Sequence, residues 1–252
     1  MRIDPALKAM RANEDAQRQA QREMVEAAAA WREQKCWHDV AAEIRVFGEG
    51  AGLAQCPALV TLFAPDGAGQ KLARAFVAHF LPVLAREPLA QVPSRYAANG
   101  SVQTLMLAAS GRATLSLVLF DGARLAARPA PESVSFADGE RRELIVAGCG
   151  EARIIEKTAS HGPTARLTSR VQMLQPGQVH ALDMTRESLL VERAEGALVT
   201  MRLMRTAQHP QLRVGVVLQA PYAQYDRRLQ RLSGANVELM QALAKALNIE
   251  LT

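Results

Sequence analysis

Side chains able to ligate a metal or attack a substrate are sparse in this chain. Its histidines are His38, His79, His161, His180 and His209, and its cysteines are Cys36, Cys56 and Cys149. A mononuclear metal site needs three or four converging His or carboxylate donors, so few combinations can be built. The cysteines are odd in number and widely spaced, which yields neither a disulfide framework nor a paired C-x-x-C knuckle; reduced, small apolar fillers are expected. Cys149 sits between Gly148 and Gly150 in an expected tight turn, with no neighbouring His or acid to activate its thiol. His79 lies at helical spacing with Leu72 and Phe76 and is expected to pack rather than act as a base. The loop Asp66-Gly67-Ala68-Gly69 before Lys71 lacks the Walker spacing and reads as a helix N-cap. No G-x-S-x-G, H-E-x-x-H, Rossmann or kinase signature occurs, so no catalytic set of a common enzyme class can be assembled.

The elements that must position these residues fall into two regions. From Pro5 to about Arg45 helix formers dominate without glycine, which predicts a continuous helix, Ala-lined at first and bulkier from Trp31 and Trp37 onward, ended by Gly48, Gly50 and Gly52. The Ala-lined part through about Arg22 buries little by itself, and it reads as either a frayed arm or one strand of a helix pair with a second subunit, in a homodimer or larger oligomer. A helix over 70–86 follows, with Pro82 expected to kink or restart it. After about Gly100 the hydrophobic period changes to two and stays so for about a hundred residues.

That stretch predicts about nine short strands. A two-residue turn at Ser110-Gly111 pairs Val102 with Leu119, Thr104 with Leu117 and Met106 with Leu115. Residues 144–147 and 152–157 flank Gly148-Cys149-Gly150. Leu167, Ser169, Val171 and Met173 alternate with Arg166, Thr168, Arg170 and Gln172, as a half-buried strand with its arginines in water. A hairpin at Ala194-Glu195-Gly196 pairs Leu189 with Met201 and Glu187 with Leu203. It aims Glu187 into the barrel, where Arg170, Arg186 or Arg202 could pair with it; at the barrel mouth it would instead meet water. Residues 213–218 read as a further strand and 235–247 as a C-terminal helix.

Within this stretch, Pro176-Gly177, His180, Glu187 and Gly196 resemble the first conserved motif of the cupin superfamily, which has a proline-glycine turn, an H-x-H pair, a glutamate and a closing glycine. The second histidine of the pair is Leu182 here, and no later strand supplies the histidine of the second cupin motif. The resemblance implies an α+β, mainly-β chain: an N-terminal helical region over 1–98 packing on the barrel, and a cupin-like antiparallel jelly roll with a C-terminal helix over 99–252. It also implies a barrel pocket for a small molecule, lined by His180, Glu187, Leu189 and Met201, and makes His180 and Glu187 the candidate ligands of a divalent metal.

The chain has 252 residues, 49% of them hydrophobic, and 30 basic against 25 acidic side chains. This composition excludes wholesale disorder. No stretch approaches the ~20 apolar residues of a membrane-spanning helix, and the N-terminus lacks an apolar signal core, so a soluble, cytoplasmic protein without membrane attachment is expected. The positive excess is spread out. Arg227, Arg228 and Arg231, near Tyr222 and Tyr225, form its one tight group and the candidate interaction surface, without the basic stripe that nucleic acid needs. The function expected is non-catalytic binding of a small ligand or of a protein; the alternative is a metal-dependent cupin-type dioxygenase or isomerase acting on a small polar molecule.

Overall fold

A computed structural model describes residues 15–65, 67–87, 90–129, 134–161, 164–207, 223–226, 231–234, 242, 243 and 245–247. The chain divides into two compact units, one of 1–38, 74–93 and 215–252, the other of 39–73 and 94–214. The division falls within two helices, α2 (Lys35–Glu49) and α4 (Ala68–Arg86). The expected strand over 213–218 lies outside the described residues, as do Arg227 and Arg228.

The larger unit is built on two antiparallel sheets. One has six strands in the order β1 (Tyr96–Asn99), β2 (Val102–Ser110), β3 (Ala113–Asp121), β9 (Ala197–Thr206), β4 (Gly139–Ala147) and β7 (Val179–Asp183). The other has three, in the order β6 (Thr164–Leu174), β5 (Gly150–His161) and β8 (Glu187–Ala194). This is the α+β, mainly-β architecture that the period of two announces.

The six-stranded sheet is buried on both faces at its centre, which is why β3 reads as a near-continuous apolar run. On one face Leu105, Leu117, Met201 and Leu144 form a row across four strands, each at most 1% exposed. Helical segments cover this face: a Cβ on Gly69 would come 2.3 Å from Leu144 Cδ2 and 2.5 Å from the Leu62 carbonyl oxygen of α3 (Pro57–Leu62). Buried Ile44, Phe47, Leu59 and Phe63 belong to the same segments. The C-terminus of α2 is fixed by Arg205, which donates to the Phe47 carbonyl at 3.0 Å and stacks 4.0 Å from the Phe47 ring centroid; a cation suits a helix C-terminus. On the other face Val118, Phe120, Ile145 and Leu198 meet Ala152, Ile154, Leu189 and Val191 of the small sheet, forming the core between the sheets.

Three expectations about the strands need correction. Residues 187–194 and 197–206 do not form a hairpin: β8 pairs with β5, and β9 with β3 and β4. The connections β4 to β5, β6 to β7, β7 to β8 and β8 to β9 all pass between sheets. Gly148-Cys149-Gly150 makes the first of these crossings, where a Cβ on Gly148 (φ +79°) would lie 2.1 Å from the Ala197 carbonyl oxygen. The β2–β3 hairpin does exist, one residue out of the expected register: Leu105 faces Leu117 and Thr104 faces Val118, with a bulge between Met106 and Ala108. A one-residue slip exchanges the faces of a strand, and here it puts Leu105 with Leu117. Finally, β6 turns its apolar set outward. Gln172 and Arg170 pair with Ala152 and Ile154 and share their inward side, leaving Val171 57% and Met173 52% exposed.

In the smaller unit α1 (Asp15–Arg32) ends where one continuous helix was expected. The break is at Gln34, whose carbonyl accepts the amides of Trp37 and His38 at 2.9 Å each and so begins α2. Trp31 anchors an aromatic cluster, 5.8 Å from Trp37 and 5.3 Å edge-on from Phe76. His79 is held at both ring nitrogens, Nε2 by the Ala27 carbonyl at 2.7 Å and Nδ1 by Gln34 Nε2 at 3.2 Å, as a packed histidine should be. α4 runs on through Pro82. Residues 223–226 and 231–234 form a two-stranded ladder in which Arg231 pairs with Asp226.

Candidate functional site

Between the two sheets a row of polar side chains crosses the large sheet. His180 on β7 pairs with Glu143 on β4, Glu143 with Arg202 on β9, and Arg202 with Ser116 on β3. Residues directly opposite in an antiparallel ladder share a face. Glu143 is 1% exposed and is held by charge-assisted bonds: Arg202 donates from Nε to Oε2 at 2.8 Å and from Nη2 to Oε1 at 3.0 Å. Thr200 Oγ1 also donates to Oε1. Arg141, two residues along β4, places Nε 3.1 Å from Oε2 and donates from Nη2 to the Leu189 carbonyl of β8 at 3.4 Å.

The electrostatics follow from this enclosure. Burial pushes the Glu143 carboxyl up, but Arg202 and Arg141, with the Arg202 and Thr200 hydrogen bonds, outweigh it and hold the group below its ordinary range. Burial lowers Arg141, with Glu143 opposing and Arg202 adding to the shift. Burial likewise works against the Arg202 cation, and Glu143 more than compensates. His180 is lowered chiefly by burial and further by Arg170 and Arg141, with Glu143 pulling the other way. Two side-chain atoms of the cluster, Arg141 Nε and His180 Nε2, are buried without a hydrogen-bond partner among the described residues.

The four residues assigned to a barrel pocket are not brought together. His180 belongs to the interior row. Glu187 sits at the β7–β8 turn, where its Oε2 accepts the Asp183 amide at 3.1 Å. Leu189 is part of the core between the sheets. Met201, flanked by Thr200 and Arg202, points to the opposite, helix-covered face in the row with Leu117 and Leu144. The absence of a β8–β9 hairpin explains the scatter, since that pairing was what aligned Leu189 with Met201.

The donor set does not suit a divalent cation. The carboxylate opposite His180 already accepts from the Arg202 guanidinium and a hydroxyl and is ion-paired with Arg141, Leu182 stands where a second histidine would be, and Arg141 and Arg170 add positive charge beside the ring. Among the described residues no three His, Cys, Asp or Glu side chains converge as a metal site would require. Sequence reasoning missed Glu143 and Arg141, and it offered Arg202 only as one of three arginines that could pair with Glu187. The available signal was the charged run Glu140-Arg141-Arg142-Glu143 leading into Leu-Ile-Val, which places one glutamate and one arginine on the inward parity of a strand.

Open space lies elsewhere. A groove of about 670 Å³ runs between α5 (Gly122–Ala126) and β8, with Leu125, Val191 and Met173 giving apolar surface and Arg128, Glu151 and Glu195 giving charge. Its shape depends on Gly122, where a Cβ would lie 2.1 Å from the Ala194 carbonyl oxygen, so that α5 presses against the end of β8. The Asp121 side chain caps α5 by accepting the Arg124 amide at 3.1 Å. A second cavity of about 360 Å³ adjoins Gly50, Arg112, Glu140 and Arg205. There Arg205 is already bound to Glu140.

No family model and no curated protein matches the chain. Several solved structures are similar to part of it. An RmlC-like cupin from Shewanella frigidimarina NCIMB 400 is 12% identical over 46% of this chain and 86% of its own, with a TM-score of 0.32. HutD from Pseudomonas fluorescens SBW25 is 15% identical over 45% and 55% of the two chains, with a TM-score of 0.32. Streptomyces albus HEPD, a structure with 2-hydroxyethylphosphonate and Fe(II) bound, is 11% identical over 52% and 32%, with a TM-score of 0.35. These likenesses extend over about half of this chain. No described helix is long and apolar enough to cross a membrane.

Proposed function

We propose that the β-rich unit binds a small molecule without transforming it, and that the ligand occupies the groove between α5 and β8. One observation carries this reading: the interior cations Arg202 and Arg141 are both ion-paired with Glu143, while the open volume is lined by apolar and charged side chains together. Ligand pockets typically combine apolar lining with a few polar groups, in volumes of about 300–1,000 Å³. The lining carries both signs of charge, which favours an amphipathic ligand with polar ends. Ala126 lines the groove at an exposed helix position, so Ala126→Trp fills it without disturbing the core. A metabolite panel read by ligand-observed NMR should give binders to the wild type that Ala126→Trp loses; binders equally retained by the variant would refute the groove.

The metal-dependent enzyme is the rival reading, favoured by the unbonded, buried His180 Nε2. Elemental analysis of protein purified without chelator separates the two. Stoichiometric metal that is lost in His180→Ala would overturn the binding-protein reading. A reducing, cytoplasmic setting is part of the proposal, supported by three free thiols of which Cys36 is exposed.

A further inference from the structure

The outer edge of β6 is a long strand edge with no strand paired to it among the described residues, because the small sheet ends there in the order β6-β5-β8. β6 has 11 residues. Natural edge strands are commonly protected by shortness, lysine or proline, and Thr164-Ala-Arg-Leu-Thr-Ser-Arg-Val-Gln-Met-Leu174 contains neither of those residues. Its outward face is apolar: Leu167 is 43% exposed, Val171 57% and Met173 52%. On the adjacent strands the charged neighbours Arg153 and Glu192 are bound to each other at 2.7 and 3.1 Å, so they leave the apolar row uncovered.

We propose that β6 pairs antiparallel with β6 of a second copy of this chain, across a two-fold axis at Ser169, joining the two small sheets into one continuous sheet. The sequence of the strand selects both partner and register. A two-fold perpendicular to a sheet sets residues of the same parity opposite each other, so outward side chains meet outward side chains. Centred on Ser169, the midpoint of 164–174, the pairing uses the whole strand. It sets Leu167 against Val171 and Ala165 against Met173 on the outer face. On the inner face it sets Thr168 against Arg170 and Arg166 against Gln172. Each neighbouring same-parity register shortens the ladder and opposes like charges: a centre at Arg170 sets Arg170 against itself, and a centre at Thr168 sets Arg166 against Arg170. Like charges directly opposite are destabilising. Backbone pairing supplies affinity in such strand addition, and the side-chain rows supply specificity. This inference rests on no ligand, although Met173 also lines the groove between α5 and β8.

Two experiments test it on the full chain. Sedimentation equilibrium should find a dimer at about 100 µM, and Leu167→Lys combined with Val171→Lys, which sets lysine against lysine twice, should raise the dissociation constant more than about tenfold. Both positions are exposed, so the monomer should keep its fold, checked by circular dichroism. For register, Ser169→Cys in a Cys36→Ser/Cys149→Ser background brings two thiols face to face within disulfide reach; mild oxidation should cross-link it, whereas Thr168→Cys, opposite Arg170, should stay uncross-linked. A monomeric wild type, a dimer that survives the double lysine variant, or equal cross-linking at 168 and 169 would each overturn the proposal.

Discussion

The two sheets of the larger unit bury their surfaces differently. The six-stranded sheet is closed on both faces at its centre, by helical segments on one side and by the other sheet on the second, so Leu117 and Met201 are fully buried and even its glutamate is sealed in. Among the described residues the three-stranded sheet is closed on one face only, and its edge strand β6 leaves Val171 and Met173 more than half exposed. Stability therefore resides in the first sheet, where apolar burial contributes about 1.5–3 kcal/mol per large side chain. The second sheet holds the surface left for partners and ligands. The groove lies against β8 and the open edge belongs to β6, both in the smaller sheet.

Substitutions should expose that asymmetry. The largest effect is expected at Glu143: Glu143→Ala leaves the buried cations of Arg202 and Arg141 without their anion and should cost about 3–5 kcal/mol. Urea denaturation measures it. Replacing the set together, as Glu143→Leu with Arg202→Met and Arg141→Met, should recover most of the loss, because a well-packed apolar set avoids desolvating charge. If Glu143→Ala alone proves neutral, the network is not as enclosed as its distances indicate. The next effect should come from Gly48, whose added Cβ would lie 2.0 Å from the Ser110 carbonyl oxygen at the tip of the β2–β3 hairpin. Gly48→Ala should cost about 1–3 kcal/mol by overpacking. Gly52→Ala, with no closer neighbour than Gln55 Oε1 at 3.8 Å, should stay within about 0.5 kcal/mol. The segment Gly48–Gly52 ends α2 as expected, at Glu49 with Gly50 at φ +124°, and within that last turn the smallness of Gly48 serves the approach of the hairpin.

This distribution of burial was only partly legible in the sequence. The change of period after Gly100 located the strands, and Leu-Ser-Leu-Val-Leu-Phe in β3 marked a segment with little solvent face. Sheet membership was not legible. A connection of two to four residues containing glycine serves a hairpin as well as a crossing between sheets, and Gly148-Cys149-Gly150 and Glu195-Gly196 are both crossings. Reading the second as a hairpin drew Met201 toward Leu189, although the two lie on different sides of the large sheet. The interior ion pair was hidden for a related reason. Glu143 and Arg202 meet only through β4–β9 pairing, between strands 50 residues or more apart in sequence. His180 was found, as a strand residue after a Pro-Gly turn. What surrounds it was not, because its neighbours come from other strands.

His180 gives a smaller and pH-dependent effect. Its folded pKa is depressed, chiefly by burial, so folding favours the neutral ring. The stability this contributes is complete above the unfolded value, about 6.5, and declines as pH falls below it toward the folded value. Urea titrations from about pH 7.5 down to 5 should therefore show stability falling in the wild type and a flatter profile in His180→Gln. Glu143 acts at lower pH. Its depressed carboxyl stabilises the fold above the unfolded value of about 4.3, and that support is lost as pH drops through the folded value. Parallel profiles for wild type and His180→Gln between pH 7.5 and 5 would place the ring in water and undo its assignment to the sealed side of the sandwich.

The smallest effect on the isolated fold is expected at Val171, and it tests the comparison most sharply. Leu117 and Val171 are both apolar residues in strands, but Leu117 is fully buried and Val171 is 57% exposed. Leu117→Ala removes a packed side chain from the double-sided sheet and should cost about 2–5 kcal/mol. Val171→Thr keeps the β-branched shape on the solvent side of the single-sided sheet and should change monomer stability by no more than about 0.5 kcal/mol. Measured below the dissociation concentration, that near-neutrality should hold; at higher concentration the valine should become the stabilising residue, because association contributes to apparent stability by mass action. A concentration-independent loss above 1 kcal/mol in Val171→Thr would mean that the outer face of the small sheet is covered within a single chain, and the contrast between the two sheets would fail there.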